Sequence, residues 1–405
     1  MSSCWRAGTA DVPGFGFHTL ALLTAIGLAG PLLAALPRLR IPVIIGELIA
    51  GLVVGRTGLN VVDVTNPTFQ LLANVGFALV MFVVGTHVPV RAGALRSSLP
   101  QALGRAALAG GAAAALGVGL AVAFGTGHAA MYAVLMASSS AALALPVIDS
   151  LRLRGPQVVA VTAQIAVADA ACIVLLPLVI DLHHARTAAL GALAVAGCAA
   201  VVFVVMRHSD AKGWRRRMHV YSESHRFALE LRTNLIVLFA LAALAVSTRV
   251  SVMLAGFAVG LVVGMVGEPR RLARQLFGIT EGFFSPLFFV WLGASLQVRE
   301  LGAHPKLILL GAGLGLGAVL AHAAGRLLGQ PLTLAVLSAA QLGVPVAAAT
   351  IGTEEHLLVA GEASALMFGA LLTIAAASIA GALASRKQVT NGPSAAEPPH
   401  AQRHD

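Results

Sequence analysis

Charge is what this sequence has least of. Of its 405 residues, 11% are Asp, Glu, Lys or Arg, while 58% are hydrophobic. Soluble domains carry about 25% charged residues, so a water-soluble class is excluded and an all-α polytopic membrane protein is expected. Lysine is scarcer still. Lys212, Lys306 and Lys387 all stand at loop or tail positions. The three cysteines, Cys4, Cys172 and Cys198, show no paired spacing, which excludes a disulfide framework and a zinc-binding pattern. Phosphate-binding loops, nucleophile–base pairs and clusters of metal ligands are missing as well. An enzyme, a cofactor, a metal centre and a nucleotide-binding regulatory domain are therefore not expected.

What the chain has in quantity is apolar runs, about thirteen of them between residues 17 and 384. Residues 1–16 read as a short polar tail, 17–384 as a membrane domain and 385–405 as a disordered cytoplasmic tail. The net charge of +10 would suggest nucleic acid if it were spread evenly. With the N-terminus placed outside, 20 Lys and Arg fall in inner loops and the tail, and six fall on the outer side. Cytoplasmic loops retain Lys and Arg. The split predicts a cell-membrane protein with its C-terminus in the cytoplasm, and it accounts for the charge without nucleic acid. The longest loop, about 207–226, is strongly basic and reads as a solvated linker close to anionic lipid.

Asp169 lies near the middle of the apolar run 156–180. Its helical neighbours, Ile165, Ala166, Cys172 and Ile173, offer no charge partner. An ionisable group at bilayer depth costs several kcal/mol unless compensated, and marks a functional site by default. The alternative is a permanently protonated structural carboxyl. Glu47 lies well inside the second segment and Glu281 opens the tenth, each an accessory candidate. Gln164, on the Asp169 helix, is another. His322 reads as a hydrogen-bonded histidine.

The two halves of the chain resemble each other. Gly51-Leu52-Val53-Val54-Gly55 in the second segment recurs as Gly260-Leu261-Val262-Val263-Gly264 in the ninth. Gly76-Phe77 and Gly85 in the third segment recur as Gly282-Phe283 and Gly293 in the tenth, at nearly the same offset. Segments two and nine are an odd number apart, so they enter the membrane from opposite sides. The repeat is inverted, five segments per half, over about 41–180 and 250–384, with 181–249 connecting them. Secondary transporters are built this way, with the binding site where the halves meet. Each half also carries a segment expected to break. One holds Ser138, Ser139, Ser140 and Pro146, and the other holds Gln341-Leu342-Gly343-Val344-Pro345.

At these residues the sequence resembles the monovalent cation:proton antiporters, the bacterial Na+/H+ and K+/H+ exchangers of the cation/proton antiporter 2 type. Ile41-Pro42-Val43-Ile44-Ile45-Gly46 through Gly51 looks like the family's first core helix. Val75-Gly76 through Gly85 is similar to its second, and Ser138 to Pro146 looks like its crossing segment. Asp169 falls where the family places its essential aspartate. Ser285-Pro286-Leu287-Phe288-Phe289 through Gly293 resembles its Pro-x-Phe-Phe helix. The resemblance implies exchange of a monovalent cation for protons, and a homodimer in the bilayer. There are two departures from the pattern. Ala168 stands where the family commonly has Asp, Asn or Gln. His322 and Arg326 occupy the segment where electrogenic members carry a lysine.

On this reading proton and cation compete for the Asp169 carboxylate, and rocking of its bundle exposes it to each side in turn. Ser138, Ser139, Ser140 and freed carbonyls are the candidate neutral ligands. Two rivals share the architecture. One is a sodium-coupled organic anion symporter, which would need a roomier cavity with more Asn, Gln and Thr. The other is a non-transporting protein derived from an antiporter, made thinkable by Ala168 and the missing lysine.

Overall fold

Backbone polar groups in lipid must be satisfied within the protein, and this chain satisfies them with helices. The computed structural model describes residues 15–35, 43–87, 93–180, 185–225, 227–248, 250–267, 270–296, 299, 305–354, 357–359 and 361–391. No strand occurs among them. Most of both predicted tails, and Pro42, lie outside the described residues.

The first half runs α1 (Phe17–Gly27), α2 (Ala29–Ala34), α3 (Val43–Val54), α4 (Pro67–His87), α5 (Gly93–Phe124), α6 (Ala129–Ala137), α7 (Ala141–Ser150) and α8 (Pro156–Ile180). The connecting region is α9 (Ala185–Ala211), α10 (Trp214–His225) and α11 (Leu229–Ser247). The second half is α12 (Val252–Val266), α13 (Arg270–Ile279), α14 (Ser285–Ser295), α15 (Pro305–Ala323), α16 (Leu332–Leu337), α17 (Gly343–Glu354) and α18 (Glu362–Asn391). A π-helical turn, Thr280–Phe284, joins α13 to α14, and a 3-10 turn, Ala324–Leu328, follows α15. Ten stretches among the described residues are long and apolar enough to cross a membrane, and Val43–Val54, Val252–Val266 and Gly343–Thr353 are shorter apolar helices. Apolar side chains such as Val122 and Leu193 stand open on the outer surface, as contact with lipid tails allows.

The helices sort into two groups. In one, α3 packs on α14 and α2, and α4 packs on α12 and α14, with α9 and α11 against α12. In the other, α5, α6, α8, α15, α16, α17 and α18 pack on one another. Contacts between the groups are sparser, made where α8 meets α9 and α12, and where α4 meets α7, which itself packs on α8 and α18.

Lipid tails are as apolar as leucine, so helices associate in a membrane through close packing of small residues. The repeated glycines supply it. A Cβ on Gly51 would lie 2.3 Å from the Val290 carbonyl oxygen, and one on Gly293 would lie 2.2 Å from that of Leu48. The equivalent pair does the same: a Cβ on Gly260 would lie 2.1 Å from the Phe82 oxygen, and one on Gly85 2.5 Å from that of Phe257. The repeat seen in the sequence is thus two matching helix crossings, each joining one half of the chain to the other.

Four expectations need correction. The loop at 207–226 is mostly helix: α9 extends to Ala211 and α10 begins at Trp214. Its polar average hides a helical pattern. The tail does not begin at residue 385, since α18 continues to Asn391. Arg105, one of the 20 Lys and Arg counted on the inner side, is fully buried within α5. Its Nη2 donates to Gln157 Oε1 at 3.1 Å and to the Leu328 carbonyl at 3.4 Å. The two broken segments do break, but away from their prolines. The first opens at Ser138–Ser140, ahead of α7, with Pro146 inside α7. The second opens after α16, and Pro345 sits in the first turn of α17, where its missing N–H costs no helical bond.

Candidate functional site

The two breaks lie side by side in the second group of helices. Ser139 Oγ, from the first break, donates to the Ser338 carbonyl of the second at 2.7 Å. In return Gln341 Nε2 donates to the Leu135 carbonyl at the end of α6, also at 2.7 Å. The backbone N–H of Gln341 is held by Thr373 Oγ1 of α18 at 3.1 Å. Helix ends expose unpaired N–H and C=O groups, and here they face one another inside the protein rather than lipid.

Asp169 is 2% exposed and reaches this crossing from α8. Its Oδ2 accepts the Ala141 N–H at 2.9 Å. Ala141 is the first residue of α7, after Ser140 in extended conformation. The carboxylate therefore sits at the N-terminus of a half-helix, where aligned peptide dipoles place about half a positive charge. That field favours a negative group, but only as a partial charge. One carboxylate oxygen takes this backbone bond.

Around it the predicted residues fare differently. Ser138 is buried, but its hydroxyl donates to the Leu135 carbonyl of its own turn at 2.7 Å. That bond satisfies the helix end and turns the hydroxyl proton away from the site. Ser139 bridges the two breaks, as above. Ser140 occupies the N-cap position of α7 with no side-chain cap bond. Gln164 Nε2 lies 3.5 Å from Ser338 Oγ, while its Oε1 is buried without a partner. His322 is fully buried, with Nδ1 3.1 Å from Ser338 Oγ, and its ring also interacts with the Ser138 and Ala137 backbone. Asp169, Ser139, Ser140, Gln164 and His322 thus belong to one polar constellation.

Glu47 and Glu281 do not join it. Glu47 is buried in α3, in the other group of helices, with its Cγ against the close approach of Gly30. Glu281 lies on the exposed side of the π-helical turn and acts on Glu47 electrostatically. Pro146 and Pro345 shape the half-helices without reaching the crossing.

Ser338 and Thr373 are functional candidates that the residue pattern did not single out, and Gln341 was marked only as the start of the second breaking segment. Ser338 could have been found as the hydroxyl of the second crossing segment, the counterpart of the Ser138–Ser140 run. Thr373 carries no such signal, because only the fold brings α18 there. Among the described residues no group of three or more His, Cys, Asp or Glu could hold a metal ion. One carboxylate with neutral oxygens suits a singly charged cation better than a tightly chelated divalent one.

Comparison with known proteins follows the same line. YjbQ of Bacillus subtilis (strain 168), whose name provisionally makes it a Na(+)/H(+) antiporter, is 26% identical over 393 residues, 88% of this chain and 60% of that protein. The Na(+)/H(+) antiporter NhaS5 of Synechocystis sp. is 26% identical over 359 residues, 84% of this chain and 49% of that one. The chain therefore spans about half to three-fifths of the length of these relatives. Two structures of the sodium proton antiporter MjNhaP1 from Methanocaldococcus jannaschii share the fold. They superpose with TM-scores of 0.60 and 0.68 at 16% and 15% identity, covering 92% and 93% of this chain and 96% and 98% of theirs. Residues 21–387 match the family described as sodium/hydrogen exchanger, transmembrane. With that match spanning nearly the whole membrane region, the chain belongs to the sodium/hydrogen exchanger family of monovalent cation:proton antiporters.

Proposed function

We propose that this protein exchanges a monovalent cation, Na+ or K+, for protons across the cell membrane, and that both bind in turn at Asp169. The observation that carries the proposal is the Asp169 carboxylate, buried at the start of α7 where two helix breaks cross. A proton neutralises the acid. A cation needs it ionised, with further oxygens from Ser139, Ser140, Gln164 and the freed carbonyls. The two ligands therefore exclude each other, which is the coupling that antiport requires. The sparse contact between the two helix groups supports alternating access, in which the group carrying Asp169 moves against the group held together by glycine crossings. The basic-loop asymmetry supports an outer N-terminus and a cytoplasmic C-terminus.

The test is proton flux in proteoliposomes challenged with Na+, K+ and Li+. A cation-dependent flux of protons that disappears with Asp169→Asn is the expected result. Flux driven by an organic anion, or none with any cation, would reject the reading.

A further inference from the structure

The link between the two halves holds the most basic stretch of the chain, and the exchange site makes no use of it. Lys212, Arg215, Arg216 and Arg217 fall within six residues, and Asp210 and Glu223 are the only acids across 207–226. The backbone register of α10 places Trp214, Met218, Tyr221 and His225 along one stripe. In a soluble protein such a stripe would face a core. Here Trp214 is 56% exposed and Tyr221 53%. Ser222 on this helix is buried, and its Oγ accepts the Leu229 N–H at 3.0 Å, which fastens the flank of α10 to the start of α11. The aromatic stripe is left facing outward.

Position decides what it meets. α9 turns into α10 at Gly213, whose φ of 71° permits the tight reversal, and α11 starts a few residues after α10 ends. α10 packs on both. A helix tied at each end to a membrane span lies at the membrane surface. The Lys212 ammonium stands 5.2 Å from the Trp214 ring centroid, a cation held beside an indole. Exposed Arg274 is on α13, which packs against α11, and it adds to the positive character of this side. Trp and Tyr are enriched at headgroup level because one end of each is apolar and the other polar.

We propose that α10 is an interfacial helix that binds an anionic lipid leaflet, with Trp214 and Tyr221 at headgroup depth, exposed Lys212 and Arg217 toward the lipid phosphates, and the basic run 212–217 supplying the positive charge. The net positive charge of 212–225 favours anionic over zwitterionic lipid. The inference is independent of which ion the protein transports.

Trp214 is its own reporter. The purified full chain and its Trp214→Phe variant are placed in vesicles with equal fractions of acyl-brominated phosphatidylglycerol or acyl-brominated phosphatidylcholine. The fluorescence difference between the two proteins isolates Trp214. We expect bromine to quench it, roughly threefold more strongly from phosphatidylglycerol. Neutralising Lys212, Arg215, Arg216 and Arg217 to Gln should bring the ratio to about one. Arg217 and Lys212 are exposed, so their removal leaves packing intact, and an unchanged melting temperature checks this. Equal quenching by both lipids in the wild type would overturn the proposal. So would no quenching by either, or quenching set by protein density, which would make the stripe a contact between copies.

Discussion

Asparagine at position 169 separates the two roles that a buried acid can have. Its side chain is nearly the size of aspartate, and its Oδ1 can still accept the Ala141 N–H now held at 2.9 Å. A hydrogen bond to a charged group contributes about 1.5–3 kcal/mol and one between neutral groups about 0.5–1.5 kcal/mol. The fold therefore loses on the order of 1 kcal/mol and stays intact. The cation loses far more. At a contact distance of about 3 Å and an effective dielectric of about 20, a carboxylate attracts a monovalent ion by roughly 5 kcal/mol, before the ion's own desolvation. Without that charge, binding weakens by up to roughly 10⁴-fold, and asparagine has no proton to release. Vesicles with matched protein content and an internal pH dye should show cation-driven proton flux reduced to the level of empty vesicles, with a melting temperature within a few degrees of wild type. Asp169→Glu should retain partial flux with a displaced pH profile, because the longer arm moves the charge past Ala141. An Asn variant exchanging at the wild-type rate would make the acid structural and refute the reasoning.

The glycine crossings predict a matched pair of effects: Gly260→Ala and Gly293→Ala should each destabilise the protein by about 1–3 kcal/mol, while Gly110→Ala, where a Cβ meets nothing within 4 Å, should not. Thermal melting in detergent measures all three. Ser139→Ala removes the bond to Ser338 and should weaken apparent cation affinity about fivefold, for a loss near 1 kcal/mol. Ser138→Ala, which breaks only a bond within its own turn, should change affinity much less in the same flux assay. Glu362 is fully buried at the start of α18, accepting from Tyr132 Oη at 2.5 Å, with His128 Nδ1 at 2.7 Å and the Val359 N–H at 2.9 Å. Glu362→Gln turns an amide N–H toward one of these donors and should cost about 1.5–3 kcal/mol of stability, read as lowered melting temperature. With Ala168 beside Asp169, and Lys306 only at the very start of α15, exchange should be electroneutral. Transport driven by membrane potential alone, with no pH gradient, would contradict that.

The sequence disclosed those features that one segment must satisfy alone. Asp169 stood out because an acid in an apolar run has few explanations. The glycine repeat stood out because only glycine permits the backbone approach at Gly51 and Gly260. The breaks were legible as polar interruptions, but their positions were not: proline marks a weakened helix, and in α17 it falls harmlessly in the first turn. Ser338 and Thr373 escaped, and Gln341 was read only as part of a break, because their roles are set by partners far along the chain. Whether Ser138 or Ser139 faces the crossing depends on one residue of helical phase at the end of α6, which composition does not encode. α10 was hidden by the same averaging that revealed the spans, since a window sees its charge and misses the stripe.

The two glycine crossings also bear on how the protein is made. Each joins a helix from the first half to one from the second, Gly51 with Gly293 and Gly85 with Gly260. A ribosome adds about 5–20 residues per second, so α3 and α4 wait on the order of tens of seconds in the membrane before α12 and α14 are synthesised. During that interval their glycine faces present open backbone to lipid. Assembly of this group of helices is therefore a late event in biogenesis. A chain interrupted between α9 and α11 should leave a first half that inserts but cannot close, and supplying the second half as a separate fragment would be the way to complete it.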